Sequence, residues 1–156
     1  MDDDTYTILG CITKYKADDI RPYVESIEQT GFKGRKVMLV YDVPQETIDY
    51  LKSKGWDLFG GELQQHIILQ RFRDLYKILG SEIKGTVIWT DVKDVIFQKD
   101  PTDWIEHNME DDILSFSECI TFKDDPWACV NAGTSFPMEW EWLQNKTSHC
   151  AGTIAG

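Results

Sequence analysis

Apolar residues come in short runs and in helical stripes, and the two alternate along the chain. "YTILGCI" (6–12) is a short apolar strand, and "KADDIRPYVESIEQTG" after it spaces Ile20, Val24 and Ile27 along one helical face. Asp18 or Asp19 is the expected cap of that helix, Pro22 falls in its first turn, and Gly31 stops it. A second apolar run, "RKVMLVYD" (35–42), leads into "VPQETIDYLKSKG". There Pro44 opens a helix, Ile48 and Leu51 share a face, and Gly55 closes it. "WDLF" predicts a third strand, and Gly60-Gly61 a break after it. "IILQRFRDLYKILG" then carries Leu69, Phe72, Leu75, Tyr76 and Leu79 on one apolar helical stripe. "TVIW" (86–89) predicts a buried strand, "DPTDWIEHN" a short capped helix, "DILSFSE" (112–118) another strand, and "FKDDPWACVNAGTSFP" an irregular loop.

Alternating strands and helices predict one α/β domain over 1–156, with a mostly parallel central sheet, helices on both faces and right-handed crossovers. Ligands of such sheets bind outside the carboxyl ends of the strands. That edge collects polar residues here: Thr13 and Tyr15 after the first strand, Asp42 after the second, Asp91 and Asp94 after "TVIWT", and Ser117 and Glu118 at the end of the last.

Composition and charge narrow the choice of ligand. With 27 acidic residues against 16 Lys and Arg, the net charge of −11 disfavours nucleic acid and anionic membrane surfaces as partners. A phosphorylated ligand needs a local cation or a divalent metal to overcome that field. The chain contains no apolar run long enough to span a membrane and opens on "MDDD", so a soluble, cytoplasmic protein is expected. Cys11, Cys119, Cys129 and Cys150 are widely spaced and are expected to be free, mostly buried thiols.

Hard divalent cations such as Mn²⁺ or Mg²⁺ take oxygen ligands, often one or two carboxylates plus phosphate oxygens of a substrate. Asp91 and Asp94 suit that role. On spacing alone an equal alternative stands, in which Asp91 caps the following turn and Asp94 pairs with Lys93 or Lys99. Trp127, Trp140 and Trp142 are expected in the core unless a ring at the crevice stacks on a sugar, and His66, His107 and His149 are read as structural or surface residues. Asp124 and Asp125 read as a turn before Pro126, or as sugar-hydroxyl ligands.

"TDVKDVIFQKDP" resembles the metal-binding segment of GT-A-type nucleotide-sugar glycosyltransferases, in particular a group found in large viruses, bacteria and plants with the pattern T-D-x-R-D-V-x-F-Q-x-D-P. The resemblance extends to "HIILQRFRDLYKIL" before it, "SECITFKDDPW" after it, and "CAGTIAG" at 150–156, which is similar to N-A-G-x-x-A-G. Cys150 stands where that pattern has Asn, which removes an amide able to bond a sugar hydroxyl.

The resemblance implies a Rossmann-like GT-A fold and transfer of sugar from a nucleotide-diphosphate donor, UDP-sugar foremost, to a carbohydrate or other hydroxyl acceptor. It implies that Thr13, Tyr15 and Asp42 hold the nucleotide base and that Asp91 and Asp94 hold Mn²⁺ or Mg²⁺ against the diphosphate. Arg71 or Arg73 would contact phosphate or sugar, and only one of the two can readily face the crevice. Glu118 is the candidate general base for the acceptor, or positions the sugar. The family pattern continues past "CAGTIAG" with acceptor contacts, so the domain is expected to lack part of its acceptor-binding region. Two other functions are weighed: a non-catalytic nucleotide-sugar-binding domain, and a haloacid-dehalogenase-type phosphohydrolase, whose D-x-D pair differs from the D-x-x-D here.

Overall fold

The computed structural model describes residues 5–110 and 112–156. Its core is a six-stranded sheet in the order β3-β2-β1-β4-β6-β5. The strands are β1 (Tyr6–Thr13), β2 (Arg35–Tyr41), β3 (Asp57–Gly61), β4 (Thr86–Thr90), β5 (Leu114–Thr121) and β6 (Thr147–Ala155). β1 runs parallel to both β2 and β4, and β2 parallel to β3. β6 is antiparallel to both of its neighbours. The sheet is therefore mostly parallel, as the alternation predicts.

Period-two alternation sorts the two cores. Ile8, Ile12, Met38 and Ile88 pack with Ile20, Val24 and Ile27 of α1 (Ala17–Thr30), with Leu51 of α2 (Gln45–Ser53) and with Ile105 of α4 (Thr102–Asn108). Leu9, Val37, Leu39, Tyr41, Val87 and Trp89 face the other way, toward Ile78 of α3 (Ile67–Ile78). Both faces of β1, β2 and β4 are thus closed, which is why these strands read as continuous apolar runs.

Several local expectations are corrected. Lys16 occupies the cap position of α1, and Asp19 serves from the third helical position by accepting the Lys16 backbone N–H at 2.9 Å. Pro22 lies in the second turn, where it withholds the N–H that would reach the Asp18 carbonyl. Gly60 and Gly61 belong to β3, paired with Val40 and Tyr41, and do not break it. Gly60 is required there because it sits at φ +122°, with the Val40 carbonyl oxygen 2.3 Å from where a Cβ would stand.

The largest correction concerns α3. Leu69, Phe72, Tyr76 and Leu79 are exposed, Tyr76 at 82%, while Gln70 and Ile78 are buried. Hydrogen bonding decides which face turns inward. The Gln70 amide accepts from the backbone N–H groups of Gln64 and Gln65 and donates to the Glu62 carbonyl, and Asp74 accepts from Tyr41 at 2.8 Å. Each such bond contributes roughly 1 kcal/mol when made and costs more when left unmade in the interior. Of the predicted stripe only Leu75, packed on the α3-side core, and Phe72, stacked on Trp89, reach the sheet, and the satisfied polar face of Gln70 and Asp74 is turned in beside them.

The segment expected to be an irregular loop contains α5 (Pro126–Ser135), followed by α6 (Trp140–Leu143). Asp125 caps α5 by accepting from Trp127 and Ala128 at 2.9 and 3.1 Å, and Pro126 fills the first helical position. That cap-and-proline pair outweighs the Gly and Asn further on. Trp127 and Trp142 are not core residues, being 62% and 66% exposed. All four cysteines are free, but Cys119 is exposed and the other three only half-buried. Among the described residues, no helix is long and apolar enough to cross a membrane.

Replacing the α5 cap, Asp125→Ala, is expected to lower stability by about 1 kcal/mol in urea denaturation; an unchanged midpoint and slope would contradict the capping role. The Cys11 thiol, pushed up to about 12 chiefly by burial, should be inert to iodoacetamide at pH 8. About one thiol in ten thousand would then be the reactive thiolate. Raising the pH to 9 should leave it inert, because the thiolate accumulates only near pH 12. Peptide mass spectrometry should find exposed Cys119 alkylated in the native protein and Cys11 alkylated only after unfolding.

Candidate functional site

β1 connects to β2 on one side, whereas its other neighbour is β4, so the connections diverge between β1 and β4. That switch point opens a crevice at the strands' carboxyl ends. A cleft of about 600 Å³ lies there, lined by Cys11, Thr13 and Tyr15 from β1 and its loop, Ile67 and Arg71 from α3, and the Asp91–Asp94 segment after β4.

Alternation along β4 places the first acid. Ile88 and Val92 belong to the α1 side, where the Thr90 hydroxyl also bonds buried Tyr23 at 2.7 Å. Val87 and Trp89 belong to the α3 side. Asp91 continues that second series and meets α3, where Arg71 donates from Nη1 to its Oδ1 at 2.9 Å. The Asp91 backbone N–H donates to the Gly152 carbonyl at 2.7 Å. A side chain at Gly152 would push the Asp91 carboxylate from its place, since a Cβ there would stand 2.6 Å from Asp91 Oδ2. The tail motif "CAGTIAG" is thus the strand that seats Asp91.

Much of the 86–101 motif is scaffold. Val95 and Phe97 pack against the α1-side core, Phe97 stands edge-on to Tyr23, and its N–H donates to Ser26 Oγ at 3.0 Å. Asp100 accepts the Thr102 N–H at 2.9 Å just ahead of α4. Asp91 and Asp94 remain facing the cleft. The expectation that Asp91 caps a turn gives way to its pairing with Arg71, and among the described residues Asp94 forms no ion pair with Lys93 or Lys99.

The other expected site residues divide. Arg71, not Arg73, faces the cleft; Arg73 lines a separate cavity beside Gln64, Gln70 and Lys77. The Arg71 Cζ lies 5.0 Å from the Phe72 ring and 5.5 Å from the Trp89 ring, and those two rings stack. Thr13 and Tyr15 share the cleft, with Lys93 over the Tyr15 ring at 5.7 Å. Asp42 is exposed at the end of β2 and lines a different depression with Val43, Ile48 and Gly60. Glu118 does not follow a strand; it lies inside β5, at a register irregularity between Ser117 and Thr121.

Cys150 lies near both Glu118 and Asp91. Burial first, and then hydrogen bonding to Glu118 and the charges of Glu118 and Asp91, push its thiol above the ordinary range. His66 caps α3 through Nδ1, and His149 bonds Ser115 Oγ, as structural or surface roles require. Asp124 and Asp125 are engaged by Thr121 and by the start of α5.

Thr13 Oγ1 and Arg71 Nε are buried without a hydrogen-bond partner, a placement sequence periodicity could not reveal. Among the described residues, no three His, Cys, Asp or Glu side chains converge as a metal-binding group. Asp91 and Asp94 both line the cleft, a set of two carboxylates. A hard cation that completes its shell with phosphate oxygens and water fits such a set.

No family model and no curated protein matches the chain. Solved structures do match it in shape. The galactosyltransferase LgtC, solved in complex with donor and acceptor sugar analogs, superposes with a TM-score of 0.63 at 11% identity, covering 96% of this chain and 56% of that one. The glycosyltransferase GlyE of Streptococcus pneumoniae TIGR4 gives 0.56 at 18% identity, covering 96% and 33%. The mannosyltransferase PcManGT from Pyrobaculum calidifontis, in complex with GDP-Man and Mn²⁺, gives 0.50 at 13% identity, covering 78% and 36%. The chain thus spans between a third and just over half of these proteins. What it shares with them is the fold, a GT-A-like α/β architecture.

Proposed function

We propose that this protein is a glycosyltransferase domain that binds a nucleotide-diphosphate sugar, with UDP as the nucleotide, in the cleft between the ends of β1 and β4. The sugar passes to a hydroxyl acceptor, a carbohydrate or another alcohol. The observation that carries the reading is the seat of Asp91, the first residue beyond a strand closed on both faces, at the sheet's switch point, with Asp94 lining the same cleft. The unpartnered Thr13 Oγ1 and Arg71 Nε support it, since a polar ligand would supply the atoms they lack.

Mn²⁺ or Mg²⁺ held by Asp91 and Asp94 would supply positive charge to the leaving diphosphate, where negative charge grows as the sugar–phosphate bond lengthens. Arg71 and Lys93 contribute fixed cations to the cleft of a chain whose net charge is −11. Thr13 and Tyr15 are assigned to the nucleoside. Asp42 lines a separate depression but follows Tyr41, the partner of Thr13 across β1 and β2, and is assigned to accept the imide N–H of a base reaching past Thr13, which favours uracil or guanine over cytosine. Glu118 is assigned to take the acceptor hydroxyl proton or to position the sugar. β1 carries no carboxylate to act as a nucleophile, which disfavours the phosphohydrolase. Sugar release or transfer would separate an enzyme from a non-catalytic nucleotide-sugar-binding domain.

Calorimetric titration with UDP, in Mn²⁺ and in EDTA, tests the reading. Asp91→Asn is expected to remove the Mn²⁺-dependent part of the affinity while lowering stability by about 1 kcal/mol or less, because its ion pair is partly solvent-screened. Equal UDP affinity in Mn²⁺ and EDTA for the unmodified protein would refute metal-assisted donor binding. In the same titration Asp42→Ala should narrow the preference for UDP over CDP; an unaltered preference would remove Asp42 from the base pocket.

A further inference from the structure

Arg71 occupies the carboxylate that the proposed cation needs. Its Nη1 is 2.9 Å from Asp91 Oδ1, while Asp91 Oδ2 lies against Gly152, so tightly that a Cβ there would come within 2.6 Å. One carboxylate oxygen is held by a guanidinium and the other is pressed against backbone. Asp94 lines the same cleft without an ion pair among the described residues. The Arg71 side chain, 15% exposed, rests by Phe72 and Trp89 and keeps a buried Nε with no partner. A planar cation with an aromatic seat and an unspent donor is suited to exchanging one anion for another.

We propose that Arg71 is a positioning residue that serves as the resident counter-ion of Asp91, yields that carboxylate to a divalent cation, and then turns its guanidinium to the donor's diphosphate. The inference rests on the reading of the cleft as a nucleotide-sugar site. Its consequence is positive coupling. The cation frees Arg71 for phosphate, and phosphate draws Arg71 away from Asp91, so each ligand removes a competitor of the other. By linkage the coupling is reciprocal, and a factor of about 5 to 150 is usual for such effects. Asp91 is 43% exposed, so solvent screening puts the expectation near the lower end.

The test uses Mn²⁺ and UDP as probes, with free Mn²⁺ counted by electron paramagnetic resonance. In the unmodified protein Mn²⁺ should bind weakly alone and more tightly once UDP is present. Arg71→Gln should bind Mn²⁺ about fivefold or more tightly than the unmodified protein without UDP, and UDP should then add little further. A purely structural role for Arg71 would loosen Mn²⁺, not tighten it. Equal or weaker Mn²⁺ binding by Arg71→Gln, with Mn²⁺ and UDP still binding cooperatively to the unmodified protein, overturns the displacement and leaves the nucleotide-sugar reading standing. No Mn²⁺ binding to the unmodified protein, with or without UDP, overturns both. A second measurement needs no variant: the Arg71 Nε–H resonance should shift when Mg²⁺ is added to the unmodified protein. An unmoved Nε–H alongside a shifted Asp91 amide would also overturn the displacement.

Discussion

Burial of β4 on both faces is the constraint from which the site follows. A strand with period two must give alternate residues to opposite sides, and here neither side is solvent. Ile88 and Val92 go to the α1 core, Trp89 to the α3 core, and Thr90 satisfies its hydroxyl on Tyr23 before it can be buried without cost. Asp91 is the first residue in the series whose environment opens. The acid needs no special loop to reach the crevice, because the pleat delivers it.

The partner of Asp91 is set by a different force. Besides its apolar contacts, α3 is tied down by hydrogen bonds: Tyr41 to Asp74, and Gln70 to the chain between β3 and α3. Those bonds fix the rotation of the helix about its axis, and Arg71 follows Gln70 by one position, so the same rotation points its guanidinium at Asp91. Tyr41, buried and bonded to a carboxylate, has its hydroxyl pushed well above the ordinary range by burial and then by Asp74. The contact therefore keeps a neutral donor at any working pH. Electrostatics at the cleft is in this sense a product of polar packing on the far side of the helix.

The strands and the first two helices were legible because their apolar spacing and their stops at Gly31 and Gly55 all pointed to one structure. The crevice was legible for the same reason, since Asp91 follows an apolar run whose burial on both faces could be read directly. What was not legible depended on partners distant in sequence. The inward face of α3 was misjudged because the bonds that select it run to Tyr41 and to residues 62–65, which periodicity does not weigh. α5 is hard to see in the sequence because Gly133 and Asn131 in its interior mark a loop, while the Asp125-Pro126 start that fixes the helix is a two-residue signal. Apolar spacing ends the strand at Glu118, whereas β5 runs on to Thr121, because the irregular pairing with β6 that extends it lies outside any local pattern.

The order of strands at one edge of the sheet also constrains how the chain reaches its native state. Among the described residues β5 pairs with β6 alone, and β6 is what joins it to β4. During synthesis the four strands up to β4 can assemble as they emerge, each beside a neighbour already present. β5 cannot join them until residues 147–155 have been made. For that interval Leu114–Thr121 has an unpaired backbone, Asp91 lacks the Gly152 carbonyl against which it is seated, and the cleft exists only in outline. β6 thus brings β5 to the sheet and seats Asp91 at once, so a nascent chain acquires both only after residues 147–155 have been made.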